Sequence, residues 1–115
     1  NKMKKLVTLF LIISCAKQQN PIELIEKNQF RVMISKDVQL IDVRTQEEFN
    51  EGYISNAKNI DFKTLDFKQK ISKLDKNKPV LIYCSAGGRS AKASKIFQSL
   101  GFKKIYDLKG GYSEW

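Results

Sequence analysis

The sequence contains no histidine, and it has only two cysteines, two prolines and one tryptophan. The lack of histidine excludes an imidazole general base, a Cys-His nucleophile pair and the commonest zinc ligand. Two thiols and scattered carboxylates remain for covalent or acid–base chemistry. We therefore expect no metal site and no bound cofactor.

The length and composition fit one globular domain. The chain has 115 residues, of which 42% are hydrophobic and 29% are charged, and it leaves no room for a second core. The excess of 21 Lys and Arg over 12 Asp and Glu gives a net charge of +9. The lysines are spread along the chain, which indicates a solvated basic surface and no nucleic-acid partner.

Residues 1–20 form a separate segment. Met3-Lys4-Lys5 is basic, residues 6–13 are apolar, and Ser14-Cys15 follows, an order typical of a secretory signal. The apolar run is too short to span a bilayer, which needs about 20 residues. Because residues 12–15 resemble the lipobox of bacterial lipoproteins, we expect Cys15 to carry a lipid and to anchor the protein at the periplasmic cell envelope. The alternative is an ordinary cleaved signal peptide that leaves the protein free in the periplasm.

The remaining domain, residues 21–115, alternates between predicted strands and helices. Strands are predicted at residues 38–43, 80–83 and 104–108. Helices are predicted at residues 29–35, 46–50, 65–74 and 90–100. Asn28 is the predicted cap of the first helix, and Thr45 with Glu48 forms a capping box for the second. The alternation predicts an α/β fold, with a small parallel sheet wrapped by helices on both faces.

The segment from Cys84 to Ser90 carries the strongest functional signal. It reads Cys84-Ser85-Ala86-Gly87-Gly88-Arg89-Ser90 and lies between a predicted strand and a predicted helix. A glycine-rich turn at a helix N-terminus directs backbone N–H groups inward and attracts anions. Helix N-termini and nearby cations lower cysteine pKa values from about 8.5 to roughly 3.5–7.5. We therefore expect a reactive thiolate, although a small buried cysteine in a turn is the plainer alternative.

The position of Asp42 points to the same edge of the sheet. Asp42 lies near the end of one predicted strand, and Cys84 follows another. Ligands of open parallel sheets bind beyond the carboxyl ends of the strands, so we expect both residues to face one crevice. With Cys15 lipidated, Cys84 is the single free thiol and cannot form an intramolecular disulfide.

The chain from residue 22 to residue 115 resembles the rhodanese family of sulfurtransferases. Residues 40–44, followed by Glu47-Glu48-Phe49 and Gly52-Tyr53-Ile54, resemble the first family signature. Residues 107–111 with Trp115 resemble the C-terminal one. Residues 84–89 match the six-residue active-site loop that begins with the catalytic cysteine.

The resemblance implies a mechanism. Cys84 would take a sulfur atom from a small anionic donor such as thiosulfate and pass it, as a persulfide, to a thiol or cyanide. The backbone N–H groups of residues 85–90 would hold the donor, and Arg89 would close the ring or bind the anion. Asp42 and Arg44 are supporting residues: Asp42 would bond to the loop or to a neighbouring strand, and Arg44 would pair with Glu48. Ser90 has a second possible role, as the cap of the following helix.

Two departures from the family pattern concern position 53 and the loop. Tyr53 replaces the usual histidine at a structural position, and the loop has fewer cations than thiosulfate-preferring members carry.

Two other functions stay open. One is a non-catalytic adaptor of the same fold. The other is a cysteine phosphatase or arsenate reductase; phosphatases have a longer Cys-x5-Arg loop, whereas here Ser90 occupies the sixth position after Cys84.

Overall fold

The computed structural model describes residues 20–115, in which strands and helices alternate along the chain. The strands are β1 (Ile22–Ile25), β2 (Gln39–Asp42), β3 (Lys58–Asn59), β4 (Val80–Tyr83) and β5 (Ile105–Leu108). The helices are α1 (Lys27–Met33), α2 (Gln46–Glu51), α3 (Phe67–Ile71) and α4 (Gly88–Ser99), followed by a 3-10 turn at Tyr112–Glu114. None of these helices has the length and apolar character needed to cross a bilayer.

The five strands form one parallel sheet in the order β1-β5-β4-β2-β3. The predicted α/β fold is therefore confirmed. Strand β4 lies at the centre and all four of its residues are buried. The last residues of β2 and β4, Asp42 and Tyr83, are direct neighbours in the register. This register brings the segments that follow the two strands to the same edge of the sheet.

A hydrophobic core lies on each face of the sheet. On one face, Phe67 and Ile71 of α3 and Phe97 of α4 pack with Ile82 of β4. On the other, Phe30 of α1 packs with a separate set of strand side chains. Each fully buried aliphatic or aromatic side chain contributes about 1.5–3 kcal/mol. Helices therefore cover both faces, and the sheet is a firm base for the loops at its edge.

Two local expectations need correction, and one strand was not predicted. Helix α1 begins at Lys27, so Asn28 lies inside it; the N-cap is Glu26, whose carbonyl accepts a hydrogen bond from the N–H of Phe30 at 3.0 Å. Strand β1 was not predicted, because its pairing partner, β5, lies at the far end of the sequence. Leu65, expected on an apolar helix face, is fully exposed, and α3 begins only at Phe67.

Helix α2 has the capping box that its sequence predicts. The hydroxyl of Thr45 accepts a hydrogen bond from the N–H of Glu48 at 3.2 Å, and the Glu48 carboxylate accepts one from the N–H of Thr45 at 2.9 Å. These bonds satisfy backbone donors that a helix start otherwise leaves unpaired. They also fix the Glu48 carboxylate near the end of β2.

Candidate active site

The sulfur of Cys84 lies at the centre of the loop that follows β4. It accepts hydrogen bonds from the N–H groups of Gly87 at 3.1 Å and Ser90 at 3.3 Å. Gly87 adopts a φ of 116°, a left-handed conformation that suits glycine and allows the chain to curl around the sulfur. Two N–H donors directed at one atom make an anion-binding nest. The geometry favours negative charge on this sulfur.

Ser90 lies within α4, on the side of Cys84. The helix begins at Gly88 and its N-cap is Gly87, so Ser90 is not the cap that one sequence interpretation suggested. Its side chain is buried, and its hydroxyl lies 3.4 Å from the Cys84 sulfur. Ser90 thus contacts the sulfur through both its backbone and its side chain.

Arg89 is held by Glu48 of helix α2. The two guanidinium nitrogens donate to the two carboxylate oxygens at 2.7 and 3.0 Å. Hydrogen bonding from Arg89 holds the pKa of the Glu48 carboxyl well below its usual range. Ser85 also donates to Glu48, at 3.1 Å. The Glu48 carboxylate therefore binds Ser85 and Arg89, near the two ends of the loop, and neutralises the charge of Arg89.

Asp42 and Arg44 pair with each other, which corrects two expectations. The Asp42 carboxylate accepts from the Arg44 side chain at 2.6 Å and from its backbone N–H at 2.9 Å. Arg44 also donates to the carbonyl of Gly52 at 2.6 Å. Arg44 therefore pairs with Asp42 instead of Glu48, and Asp42 bonds to its own segment instead of the loop. The buried pair joins the end of β2 to the turn at Gly52.

The chain after β5 holds the loop from behind, a contact that sequence reasoning missed. The N–H of Tyr112 donates to the carbonyl of Cys84 at 2.7 Å, and that of Ser113 to the carbonyl of Ser85 at 2.9 Å. Gly111 has a φ of 63°, and a Cβ there would lie 2.5 Å from both carbonyl oxygens. The glycine pair at residues 110–111 was the available signal for this close approach.

A cavity of about 370 Å³ opens beside the loop. It is lined by Arg44, Glu48, Glu51, Gly52, Ser85, Tyr112 and Ser113. The outer rim of the loop, at Ala86 and Gly88, is exposed. Between residues 20 and 115, no cluster of three or more acidic, cysteine or histidine side chains is placed to hold a metal ion. Cys15 lies outside the described residues.

Comparison with known proteins gives the family. A model of the rhodanese-like domain matches residues 26–115. The thiosulfate sulfurtransferase GlpE of Coxiella burnetii is 36% identical over 80 residues, which cover 70% of this chain and 73% of GlpE. The tRNA uridine(34) hydroxylase of Pelagibacter ubique is 32% identical over 109 residues, but these cover 94% of this chain and 36% of that protein.

The solved structures agree. The crystal structure of a rhodanese-like domain protein from Staphylococcus aureus has a TM-score of 0.72 and 33% identity, and the match covers 81% of this chain and 90% of that one. Fold, loop and sequence lead to one assignment: the chain belongs to the rhodanese-like domain family.

Proposed function

We propose that the protein is a sulfurtransferase that carries a sulfur atom as a persulfide on Cys84. The observation that carries the proposal is the Cys84 sulfur, which accepts two backbone hydrogen bonds at the N-terminus of α4. The relative from Coxiella burnetii is named a thiosulfate sulfurtransferase, and the similarity to it supports the same chemistry.

The reaction has two steps. The Cys84 thiolate attacks the outer sulfur of thiosulfate, the S–S bond of the donor breaks, and sulfite leaves with the electron pair. The anionic persulfide on Cys84 then gives its outer sulfur to cyanide or a thiolate, and the Cys84 thiolate returns. The N–H groups of Gly87 and Ser90 stabilise the anion in both steps, so no histidine is needed.

Arg89 has a different role from the one suggested by its charge alone. Its side chain is engaged by both oxygens of Glu48, so it acts first as a clamp on the loop. Thiosulfate carries two negative charges. At the opening of the site Glu48 already neutralises the charge of Arg89, and a second acid, Glu51, lines the cavity. We therefore expect modest affinity for thiosulfate and better use of donors with less charge.

A thiosulfate-to-cyanide assay tests the proposal. Replacing Cys84→Ser removes the nucleophile while keeping nearly the same side-chain volume, so thiocyanate formation should fall at least about a hundredfold. The control is Cys15→Ala, which changes the other cysteine and should leave turnover intact. Near-wild-type turnover of Cys84→Ser would refute the proposal.

The same preparation separates the rival functions. A folded wild-type protein that transfers no sulfur from any donor would favour an adaptor. Rapid hydrolysis of an aryl phosphate would favour a phosphatase. With a six-residue loop at Cys84, we expect neither an inactive protein nor phosphatase activity.

A further inference from the structure

One face of the folded domain is rich in lysine and poor in acids. Between residues 67 and 106 the sequence contains ten Lys and Arg and a single acid, Asp75. This stretch includes helices α3 and α4, which pack side by side, with the ring centroids of Phe67 and Phe97 6.2 Å apart. The outer surface of the two helices and of the turns that follow them exposes six lysines, which together form the basic face: Lys68, Lys70, Lys73, Lys92, Lys95 and Lys103.

The charges of the basic face are mostly uncompensated. Within residues 20–115, Lys70 is the one member with an ion pair, to the carboxylate of Asp66 at 3.6 Å. The backbone N–H of Lys103 donates to the carbonyl of Lys76 at 3.1 Å, which joins the turns after α3 and α4 into one surface. Soluble domains usually intersperse both signs of charge, so a face with one sign is suited to an anionic partner.

A shallow cavity opens within reach of the basic face. Its volume is about 330 Å³, and its lining includes Lys58, Lys70 and Lys73. Lysine ammonium groups bind phosphate as compact point charges, without the fixed geometry that arginine requires. The cavity is therefore suited to a phosphate group.

Two exposed leucines lie beside these lysines. Leu65, directly before α3, is fully exposed, and Lys63 and Lys68 flank it in the sequence. Leu24 of β1 is more than half exposed and, by alternation along the strand, lies on the same face of the sheet as Ile22, which packs against the core beneath α3 and α4. Exposed aliphatic side chains among lysines are typical of surfaces that lie at a lipid–water interface.

The chain enters the fold beside the basic face. The carbonyl of Pro21 accepts a hydrogen bond from the N–H of Ile105 at 2.8 Å, two positions after Lys103. Pro21 lies six positions after Cys15, a distance of at most about 20 Å in a fully extended chain. The lipid predicted at Cys15 would therefore hold this face close to a bilayer.

From these observations we propose that the basic face docks on an anionic phospholipid bilayer. The lysine ammonium groups bind lipid phosphates, and Leu65 inserts at the interface. Phe67, Phe97 and Phe102, the aromatic residues of these helices and of the turn after α4, are all buried. No ring of these elements is left to stack on nucleotide bases, which favours a bilayer over RNA. Without the lipid the docking is reversible and salt-sensitive, so it orients the anchored protein and does not replace the anchor.

Docking through this face leaves the candidate active site open. The cavity beside Cys84 is lined by Tyr112, which packs with the core on the opposite face of the sheet. Glu48 and Glu51 line the same cavity, and anionic lipid repels their carboxylates. The site therefore faces the aqueous phase, where sulfur donors and acceptors dissolve.

Co-sedimentation with lipid vesicles tests the proposal. The protein is the full chain with Cys15→Ala, which cannot be lipidated, so every variant has the same N-terminal segment. The vesicles contain phosphatidylcholine alone or equal parts of phosphatidylcholine and phosphatidylglycerol. The protein should bind the anionic vesicles at least about tenfold more tightly, and added salt should weaken that binding.

Paired substitutions locate the surface. Lys92→Gln with Lys95→Gln removes two charges from α4 and should weaken binding to anionic vesicles about 25-fold, since each lysine near such a bilayer contributes about fivefold. The matched control is Lys36→Gln with Lys109→Gln, which removes the same charge from two exposed lysines outside the basic face. It should change binding less than about twofold.

The exposed leucine has its own test. Leu65→Ser should weaken binding to anionic vesicles about five- to tenfold, because an aliphatic side chain no longer enters the interface. The matched control is Val32→Ser, which changes an exposed aliphatic residue of α1 and should leave binding unchanged. Unchanged binding of Leu65→Ser would refute the insertion of this side chain.

Equal binding to both kinds of vesicle would overturn the proposal, and so would an equal loss from the two lysine pairs. Tighter binding to single-stranded RNA than to anionic vesicles would assign the basic face to nucleic acid instead. The substituted residues lie outside the Cys84 loop, and the readout needs no sulfur transfer. Failure here is therefore distinct from failure of the proposed function.

Discussion

At the scale of single residues, the charge of the loop is set by a pair of residues and not by Arg89 alone. Arg89 and Glu48 are distant in sequence but make two short hydrogen bonds. The side chains are 22% and 34% exposed, so solvent screens the pair and its worth is roughly 1 kcal/mol or less. The larger effect of the pair is on the affinity of the site for anionic donors, because Glu48 neutralises the charge of Arg89.

Replacing Glu48→Gln should improve the use of thiosulfate. The neutral amide keeps an oxygen that can accept from Thr45 and removes one negative charge, so Arg89 becomes available to the donor. We expect the KM for thiosulfate to fall up to about fivefold, in line with a partly exposed charge pair.

The control is Glu47→Gln, which changes an exposed glutamate of the same helix and should leave the KM unchanged. An increase in KM with Glu48→Gln, or an equal decrease in both variants, would show that Glu48 does not restrain Arg89.

At the scale of elements, local patterns were predicted well and distant contacts were not. The capping box of α2 was correct because its hydrogen bonds join residues three positions apart, as the sequence pattern requires. The expected pairing of Arg44 with Glu48 used the same local logic and was wrong. Arg44 instead pairs with Asp42, two residues away, and Glu48 pairs with Arg89, which is distant in sequence and reaches it only in the folded structure.

The last turn of the chain shows the same limit. Glycines such as those at 110 and 111 favour a turn, yet nothing in their spacing shows that Gly111 lies against the carbonyls of Cys84 and Ser85. The burial of Asp107 likewise follows from the pairing of β5 with β4, which joins distant parts of the chain.

Replacing Gly111→Ala tests whether this turn holds the active-site loop. A Cβ would meet two carbonyl oxygens at 2.5 Å and would sit on a residue with a φ of 63°. We expect a loss of about 1–3 kcal/mol in the free energy of unfolding, and a lower rate of sulfur transfer in the protein that remains folded.

Chemical denaturation and the transfer assay measure both effects. The matched control is Ser113→Ala, which keeps the backbone N–H that donates to Ser85 and removes only an exposed hydroxyl. Wild-type stability in Gly111→Ala would mean that the turn and the loop are independent.

At the scale of the whole molecule, the strand order places the chemistry. Parallel neighbours β2 and β4 end side by side, so Arg44, Glu48 and the Cys84 loop converge although they are separate in the sequence. The α/β class was predictable because it follows from alternating patterns. The order of the strands was not, since it depends on pairings such as β1 with β5.

The predicted lipid anchor is also a property of the whole chain. A full-length protein expressed in a bacterial host should fractionate with membranes, and a Cys15→Ala variant should be released into the soluble fraction. Stable anchoring requires more than one acyl chain, which lipoprotein processing provides. A wild-type protein found wholly in the soluble fraction would show that residues 1–20 are an ordinary signal peptide.

The central claim is that Cys84 carries the transferred sulfur, and mass spectrometry of the intact protein tests it most directly. After incubation with thiosulfate and removal of the donor, the wild-type protein should gain the mass of one sulfur atom. Peptide mapping should place that sulfur on Cys84, and cyanide should remove it. A wild-type protein that gains no sulfur from thiosulfate or from a low-molecular-weight persulfide, or gains it equally in Cys84→Ser, would contradict the account.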